Sequence, residues 1–410
     1  MHDAQRTVEA VARASYGRLV AFLAARTRDV AGAEDALGEA LLAALRTWPV
    51  EGVPEKPEAW LLAAARRRLI DGQRHATMRA EHETTLRALA AEEEEAEEGS
   101  EAFQDARLAL FFVCAHPAID AAVHAPLMLQ TVLGLDAARI ARAFLVAPAT
   151  LGQRLVRAKT KIRETGIPFE VPDEAELPQR LDSVLEAIYA AYGLGWDEGA
   201  GADPRRTDLA AEALWLARAL RERLPEEPEV RGLVALLLHC EARRPARRGT
   251  DGRYVPLSEQ DPALWSRSTL AEAEAELAAA ASHARPGRFQ LEAAIQSVHA
   301  ERVHGRATDW AAIAAFYDEL VRLAPTIGAA VGRAAAVAEA SGPEAGLAHL
   351  AELDPADVRS YLPYWAVRAH LLRQMEQAEA DAAYGRALEL CEDEAVRAFL
   401  EEQRRAVPRG

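Results

Sequence analysis

Residues 149–163 hold five positive charges and no acid, in a chain whose formal net charge is −16. Their apolar members keep helical spacing: Leu151, Leu155, Ala158 and Ile162 follow one another at intervals of four, three and four. A 3.6-residue turn places them on one face, and Thr150, Gln153, Arg154, Arg157 and Lys161 on another. One side packs and the other is offered to something negative. An excess of positive charge in so acidic a chain requires an anionic partner.

The preceding residues narrow that partner. Asp136 can cap a short helix over 137–144 that reaches Pro148 through Leu145, Val146 and Ala147. Small Ala141 lets two helices approach and Val146 plugs the turn. Pro148 suits the first turn of the next helix, where its missing N–H costs nothing. This is the pattern of a helix-turn-helix, whose second helix enters the DNA major groove. A core helix with a solvated basic face fits the same pattern.

At 410 residues the chain exceeds one hydrophobic core and implies two to four domains. Ala, Leu, Glu and Arg dominate, and alternating β-branched runs are almost absent, so the expected fold class is all-α. Sheet is at most a small hairpin, signalled by Asp251-Gly252. No run of eighteen apolar residues occurs and the amino terminus lacks a basic-then-apolar leader, so a cytoplasmic protein without a membrane partner is expected. Cys114, Cys240 and Cys391 are far apart and odd in number, which fits reduced thiols. Cys114 and His116 could begin a metal site, but no second pair follows with ligand spacing, so neither metal nor other cofactor is expected. Charge is uneven: residues 1–171 carry −3 and residues 172–410 carry −13. Nucleic-acid contact therefore belongs to the first part.

Along the chain, helices are predicted over 8–27, 31–48 and 57–78, with a Pro-rich loop at 49–57. On the third helix Trp60, Ala64, Arg67, Asp71 and Arg74 share a stripe, with Leu62, Ala65 and Leu69 on another. A cationic stripe bearing an aromatic suits separated DNA strands. A core Trp with snorkelling arginines is the alternative. Residues 91–101 are nearly all acidic or small and read as a solvated linker. A second block over 104–165 ends at Pro168 and Pro172. Beyond residue 181 helix follows helix, and Leu323, Leu353 and Leu390 mark related segments 30 and 37 residues apart. Those spacings bracket the 34-residue period of tetratricopeptide helix pairs, although unrelated helical hairpins share the rhythm.

Several motifs taken together resemble an extracytoplasmic-function (ECF) sigma factor with a C-terminal tetratricopeptide-like extension. The first block supplies Gly32-Ala-Glu-Asp-Ala-Leu, Trp48, Pro57-Glu-Ala-Trp60-Leu and Ala65-Arg-Arg-Arg-Leu-Ile-Asp71. The second supplies Cys114-Ala-His-Pro-Ala and Ile140-Ala-Arg-Ala-Phe-Leu-Val, and the extension supplies Glu212-Ala-Leu-Trp-Leu and Glu259-Gln-Asp-Pro-Ala-Leu-Trp265. The resemblance implies sigma region 2 at 1–90, an acidic linker at 91–103 whose Glu92–Glu98 run either threads a polymerase channel or is a passive tether, region 4 at 104–171 and the extension at 172–410.

The same resemblance implies partners and site residues. Core RNA polymerase (β′ and β subunits) and promoter DNA would be the partners, with a regulatory protein as a further partner of the extension and catalysis left to the polymerase. Arg139, Thr150, Gln153, Arg154, Arg157, Lys159 and Lys161 would read the −35 element. Trp60, Arg66, Arg67, Arg68 and Arg74 would act at the −10 element, with loop 47–57 holding a flipped base. Glu34, Asp35, Leu37 and Glu39 would meet the polymerase. Gly38 departs from the glutamine common there, Pro148 from a frequent acid, and Tyr192-Gly-Leu-Gly-Trp196 from an Asn-Glu-Gly-Tyr pattern. Two other readings stay open: a polymerase-independent regulator on a helical-repeat scaffold, and an enzyme in the second half using His239, Cys240 or Asp251.

Overall fold

The computed structural model describes residues 2–76, 100–144, 146–173, 175–196 and 204–407. The protein is all-α, and among the described residues no strand forms. The expected hairpin is a single antiparallel bridge, Arg248 to Tyr254, around a turn in which Gly252 has φ +80°. No helix among the described residues is long and apolar enough to cross a membrane.

Two compact units divide the chain, Met1–Ala191 and Tyr192–Gly410. The first opens with α1 (His2–Thr27), α2 (Val30–Glu51) and α3 (Pro57–Ala76). Asp29 caps α2 by accepting from the Gly32 N–H at 3.1 Å. The helix runs past the predicted end at Trp48, because Pro49 keeps a helical φ and removes only one hydrogen bond near the last turn. Gly52 stops it with φ +92°, its N–H bonded to the Trp48 carbonyl at 3.0 Å. Most of the acidic linker, residues 91–99, lies outside the described residues.

The unit continues with α4 (Ser100–Cys114), α5 (Ala121–Thr131), α6 (Ala137–Ala143) and α7 (Pro148–Thr165), and ends at Ala191 within α8 (Leu177–Trp196). Helix α1 packs on α2, α3 and α4. Leu19, Leu23, Leu37, Trp48, Leu61 and Phe111 are fully buried among them. The His124 ring spans from the Ile119 carbonyl to the Ser183 hydroxyl, 3.0 Å each, and burial lowers its pKa.

The second unit holds α9 (Pro204–Arg223), α10 (Pro228–Arg243), α11 (Arg267–Ala281), α12 (Arg288–Ala300), α13 (Trp310–Leu323) and α14 (Ile327–Ser341). It closes with α15 (Pro343–Ala351), α16 (Pro355–Val358), α17 (Leu362–Gln374), α18 (Glu379–Leu390) and α19 (Glu394–Arg405). Helix α10 is buried nearly all round and packs on α9, α11 and α12. From α12 onward the core is a series of local clusters. Leu291, Ile313 and Ala336 join α12 to α14; Val331, Leu350 and Leu371 join α14 to α17; Tyr384 and Leu400 join α18 to α19.

Candidate nucleic-acid and polymerase interfaces

The short helix α6 is capped as its sequence requires, the Asp136 carboxylate accepting from the Arg139 N–H at 2.8 Å. The turn into α7 is pinned by the half-buried Val146, whose N–H reaches the Ala141 carbonyl at 2.9 Å. Pro148 is the first residue of α7, and Gly166 ends the helix with φ +64°. Leu151, Leu155, Ala158 and Ile162 are its buried residues. Thr150, Gln153, Arg154, Arg157 and Lys161 are exposed, and no carboxylate pairs with Arg154 or Arg157 among the described residues. Arg139 is half-buried on α6.

Lys159 stands apart from that face. Its ammonium lies 2.6 Å from the Glu34 carboxylate and 2.7 Å from the Gln130 amide oxygen. The Lys159 and Glu34 side chains are only 12% and 14% exposed. Burial raises the Glu34 pKa, with Lys159 pulling the other way. A residue expected at DNA and one expected at the polymerase are thus partners of each other.

On α3, Trp60 is half-buried and sits edge-on to the buried Trp48, ring centroids 5.6 Å apart. Arg67 and Arg68 are exposed, with Arg68 3.2 Å from Glu39. Arg66 is instead buried, its guanidinium 5.4 Å from the Phe22 ring centre. The Arg74 side chain lies outside the described residues. The exposed loop here begins at Gly52, since residues 47–51 belong to α2.

On α2, Asp35 and Glu39 are exposed and Leu37 is fully buried in the unit's core. A Cβ added at Gly38 would meet nothing within 4 Å. Sequence motifs did not single out the apolar side chains beside this edge: Leu42 is 54% exposed and Val50 is 84% exposed, with Leu45 and Val53 also open. Their signal was available, because Leu42 lies one turn beyond Gly38 and outside the buried spacing Ala33, Ala36, Leu37, Ala40, Ala44. Exposed apolar groups beside acids suit a partner protein.

The other residues singled out in the sequence have local roles. The Cys114 thiol is pushed up to about 12 by burial and contacts the Thr131 hydroxyl at 3.6 Å, whereas His116 Nδ1 accepts from the Ala118 N–H. Burial raises the Cys240 thiol, the reverse of what activates a nucleophile. Burial, followed by the charge of Arg243, holds His239 down to about 4. His239 lines a small cavity with Arg243, Trp265, Gln296 and His299. The exposed Asp251 carboxylate is occupied by Arg253 and by the turn that it stabilises.

Residues 11–78, which span most of α1 to α3, match the family model of sigma-70 region 2. Residues 180–281 match a family of unknown function, DUF6596. The chain is 38% identical over 376 residues to an uncharacterized protein of Rhizobium meliloti, a match covering 90% of this chain and 89% of that one. No solved structure matches it.

Proposed function

This chain belongs to the same family as the Rhizobium meliloti protein and carries sigma-70 region 2, and from that premise we propose that it is an ECF-type sigma factor. It would direct core RNA polymerase to promoters and start transcription there, with its second unit as a tetratricopeptide-like regulatory module. The observation that carries the reading is the order of two parts: region 2 at 11–78, then α6 and α7 with their exposed face of Thr150, Gln153, Arg154, Arg157 and Lys161.

The roles rest on the chemistry of each face. As the second helix of a helix-turn-helix, α7 would enter the major groove of the −35 element, its arginines reaching phosphates and guanine edges. Trp60 could stack on an unpaired base at the −10 element while Arg67 and Arg68 track the strand. Asp35, Glu39 and the exposed Leu42 and Leu45 would form the edge presented to the polymerase. No bond-making step is asked of this chain, and the polymerase carries out catalysis.

The test combines the purified full chain with core polymerase on a promoter library. Polymerase capture and promoter-specific transcripts are expected. Duplex binding with no polymerase-dependent transcription would favour an independent regulator instead. Arg154→Ala or Arg157→Ala should weaken binding to the −35 duplex by about 1–3 kcal/mol and reduce the salt slope by about 0.9. Trp60→Ala should impair native promoters more than pre-melted ones.

A further inference from the structure

In the second unit a cavity of about 10 Å³ lies among His239 and Arg243 of α10, Trp265, and Gln296 and His299 of α12, with Leu270 of α11 as an apolar wall. That is room for about one water-sized atom. Its inner walls are core: Trp265 is 4% exposed and His239 is 2% exposed, and Trp265 and Leu270 share a buried cluster with Ala242 and Ala300. Arg243, Gln296 and His299 are half-buried.

The polar groups of these walls lack partners. Trp265 Nε1, both ring nitrogens of His239 and Gln296 Oε1 are buried without a hydrogen bond. Buried polar atoms are nearly always paired, so several orphans around one cavity mark the place of a polar guest. The indole only donates, which makes that guest an acceptor. The neutral imidazoles of His239 and His299 carry one N–H each, and rotation of the Gln296 amide exchanges its Oε1 for the donating NH2.

Charge narrows the guest further. Among the described residues Arg243 has no carboxylate partner, and its guanidinium bonds to the Cys240 thiol at 3.6 Å. Arg302, whose guanidinium lies 5.3 Å from the Trp265 ring centre, bonds to the carbonyls of Leu257, Ser258 and Gln260. Neighbouring carboxylates are committed elsewhere: Glu292 to Arg288 at 2.9 Å, Glu276 to Arg231 at 2.8 Å and Glu274 to the Ser297 hydroxyl at 2.7 Å. Glu274 also stands 3.5 Å from His239 Nε2, but pairs with neither Arg243 nor Arg302. Two half-buried guanidiniums without a carboxylate are not a by-product of basic excess here, since residues 172–410 carry −13. A water molecule would complete the hydrogen bonds and leave the charge uncompensated. An anion does both.

We propose that this cavity binds a small monovalent anion, a halide or one oxygen of a carboxylate, held by Arg243, the Trp265 N–H and the imidazoles of His239 and His299. Its binding would tie α10 to α12. The proposal uses residues of the second unit alone and stands apart from the sigma-factor reading.

The experiment uses the full chain at a constant ionic strength of about 0.15 M, so that screening does not change, with chloride replacing the bulky sulfonate HEPES. Bound chloride is read from the width of the chloride NMR line, and its effect on the fold from hydrogen exchange. Saturable broadening is expected. At free chloride ten times its Kd, amides of α10–α12 that exchange by opening the site should gain about elevenfold in protection. Arg243→Gln removes the charge, and Trp265→Phe removes the N–H while keeping an aromatic ring; each should weaken chloride about tenfold. Arg243→Lys should bind better than Arg243→Gln, and with Trp265→Phe it decides the matter if Arg243→Gln does not fold. Acetate that narrows the line again would identify a site open to carboxylates, and acetate without effect a site for halides; both uphold the proposal. A line without saturable broadening overturns it. So does equal broadening in the folded variants, which puts the anion elsewhere, or equal protection in chloride and in HEPES, where a water suffices.

Discussion

In the amino-terminal unit side chains meet across long stretches of sequence: Lys159 finds Glu34, the Gly17 backbone abuts Val132, and Ser183 bonds to His124. In the carboxy-terminal unit, from α12 onward, each cluster draws on helices that lie close together in the chain. The first arrangement makes each block depend on a distant one, so a change in one is felt in the other. The second spreads stability along the chain in near-neighbour steps, as stacked repeats do, and local damage stays local. A tie of longer range crosses the serial pattern, where Arg248 reaches Asp393 at 2.5 Å and Tyr254 packs edge-on against Phe399.

The largest effect that separates the two arrangements comes from one substitution made in each unit. Leu23 of α1 is 1% exposed and Leu400 of α19 is 4% exposed. Leu23→Ala and Leu400→Ala should each cost about 2–5 kcal/mol through lost burial and the cavity left behind. Their footprints should differ. By hydrogen exchange, Leu23→Ala should lower protection throughout α1–α7, whereas Leu400→Ala should lower it in α17–α19 and leave α10–α12 unchanged. Loss of protection across the whole carboxy-terminal unit from Leu400→Ala would break the comparison.

A somewhat smaller effect is expected from acid. His239 and His299 both have pKa values held down to about 4, chiefly by burial and then by Arg243, with Arg302 adding to His299. The Glu274 carboxylate lies 3.5 Å from His239 Nε2. Both rings are neutral in the fold, and the unfolded chain binds protons more readily near pH 6.5. Their contribution is therefore complete above pH 6.5 and is lost as the pH falls toward 4. At 1.36 kcal/mol per pKa unit about 3 kcal/mol is at stake for each ring, of which about 2 kcal/mol is lost between pH 7 and pH 5. Exchange measured at pH 7 and pH 5 should show α10–α12 losing protection at the lower pH. A His239→Gln variant should flatten that dependence, and an unchanged profile would remove His239 from the account.

Local physics made much of the fold legible in the sequence. Asp136, Pro148 and the four-three-four spacing of Leu151, Leu155, Ala158 and Ile162 act within a few residues of themselves, and α6 and α7 form as those signals require. The residues that escaped are governed by distant partners. Lys159 belongs by sequence to a basic run, but Glu34 and Gln130 draw it inward. Arg66 follows Leu62 and Ala65 at core phase, and the Phe22 ring on α1 lies close to its guanidinium there. Pro49 suggested a break, whereas burial of Trp48 and the Gly52 stop carry α2 through it.

The long tie in the second unit allows a finer test. Arg248→Ala removes a half-buried ion pair to Asp393, a residue that also caps α19 through the Ala395 and Val396 N–H groups. Loss of the partner should cost about 1–3 kcal/mol by leaving a partly buried carboxylate with fewer bonds. Because Asp393 retains its capping role, fraying should be confined to α19 and to the turn at 248–254. Urea melts that show a broad loss of cooperativity would mean the tie closes the unit as a whole and that the serial description is too simple.

The smallest effect is a gain. Gly38 sits within α2, where its missing side chain has open space and its backbone freedom weakens the helix. Gly38→Gln should stabilise the amino-terminal unit by up to about 1 kcal/mol, the difference in helix propensity between the two residues. The same change restores the residue common at that position in sigma factors, so it should also tighten polymerase binding if this edge of α2 is the docking edge. The two consequences are separable, since thermal melting reads the first and polymerase titration the second. Gly38→Ala supplies the control: it should give the stability gain without the added amide. Equal affinities for the Ala and Gln variants would assign the whole benefit to the helix. Tighter binding for Gln alone would place a polymerase contact one turn from Glu34 and its ion pair with Lys159.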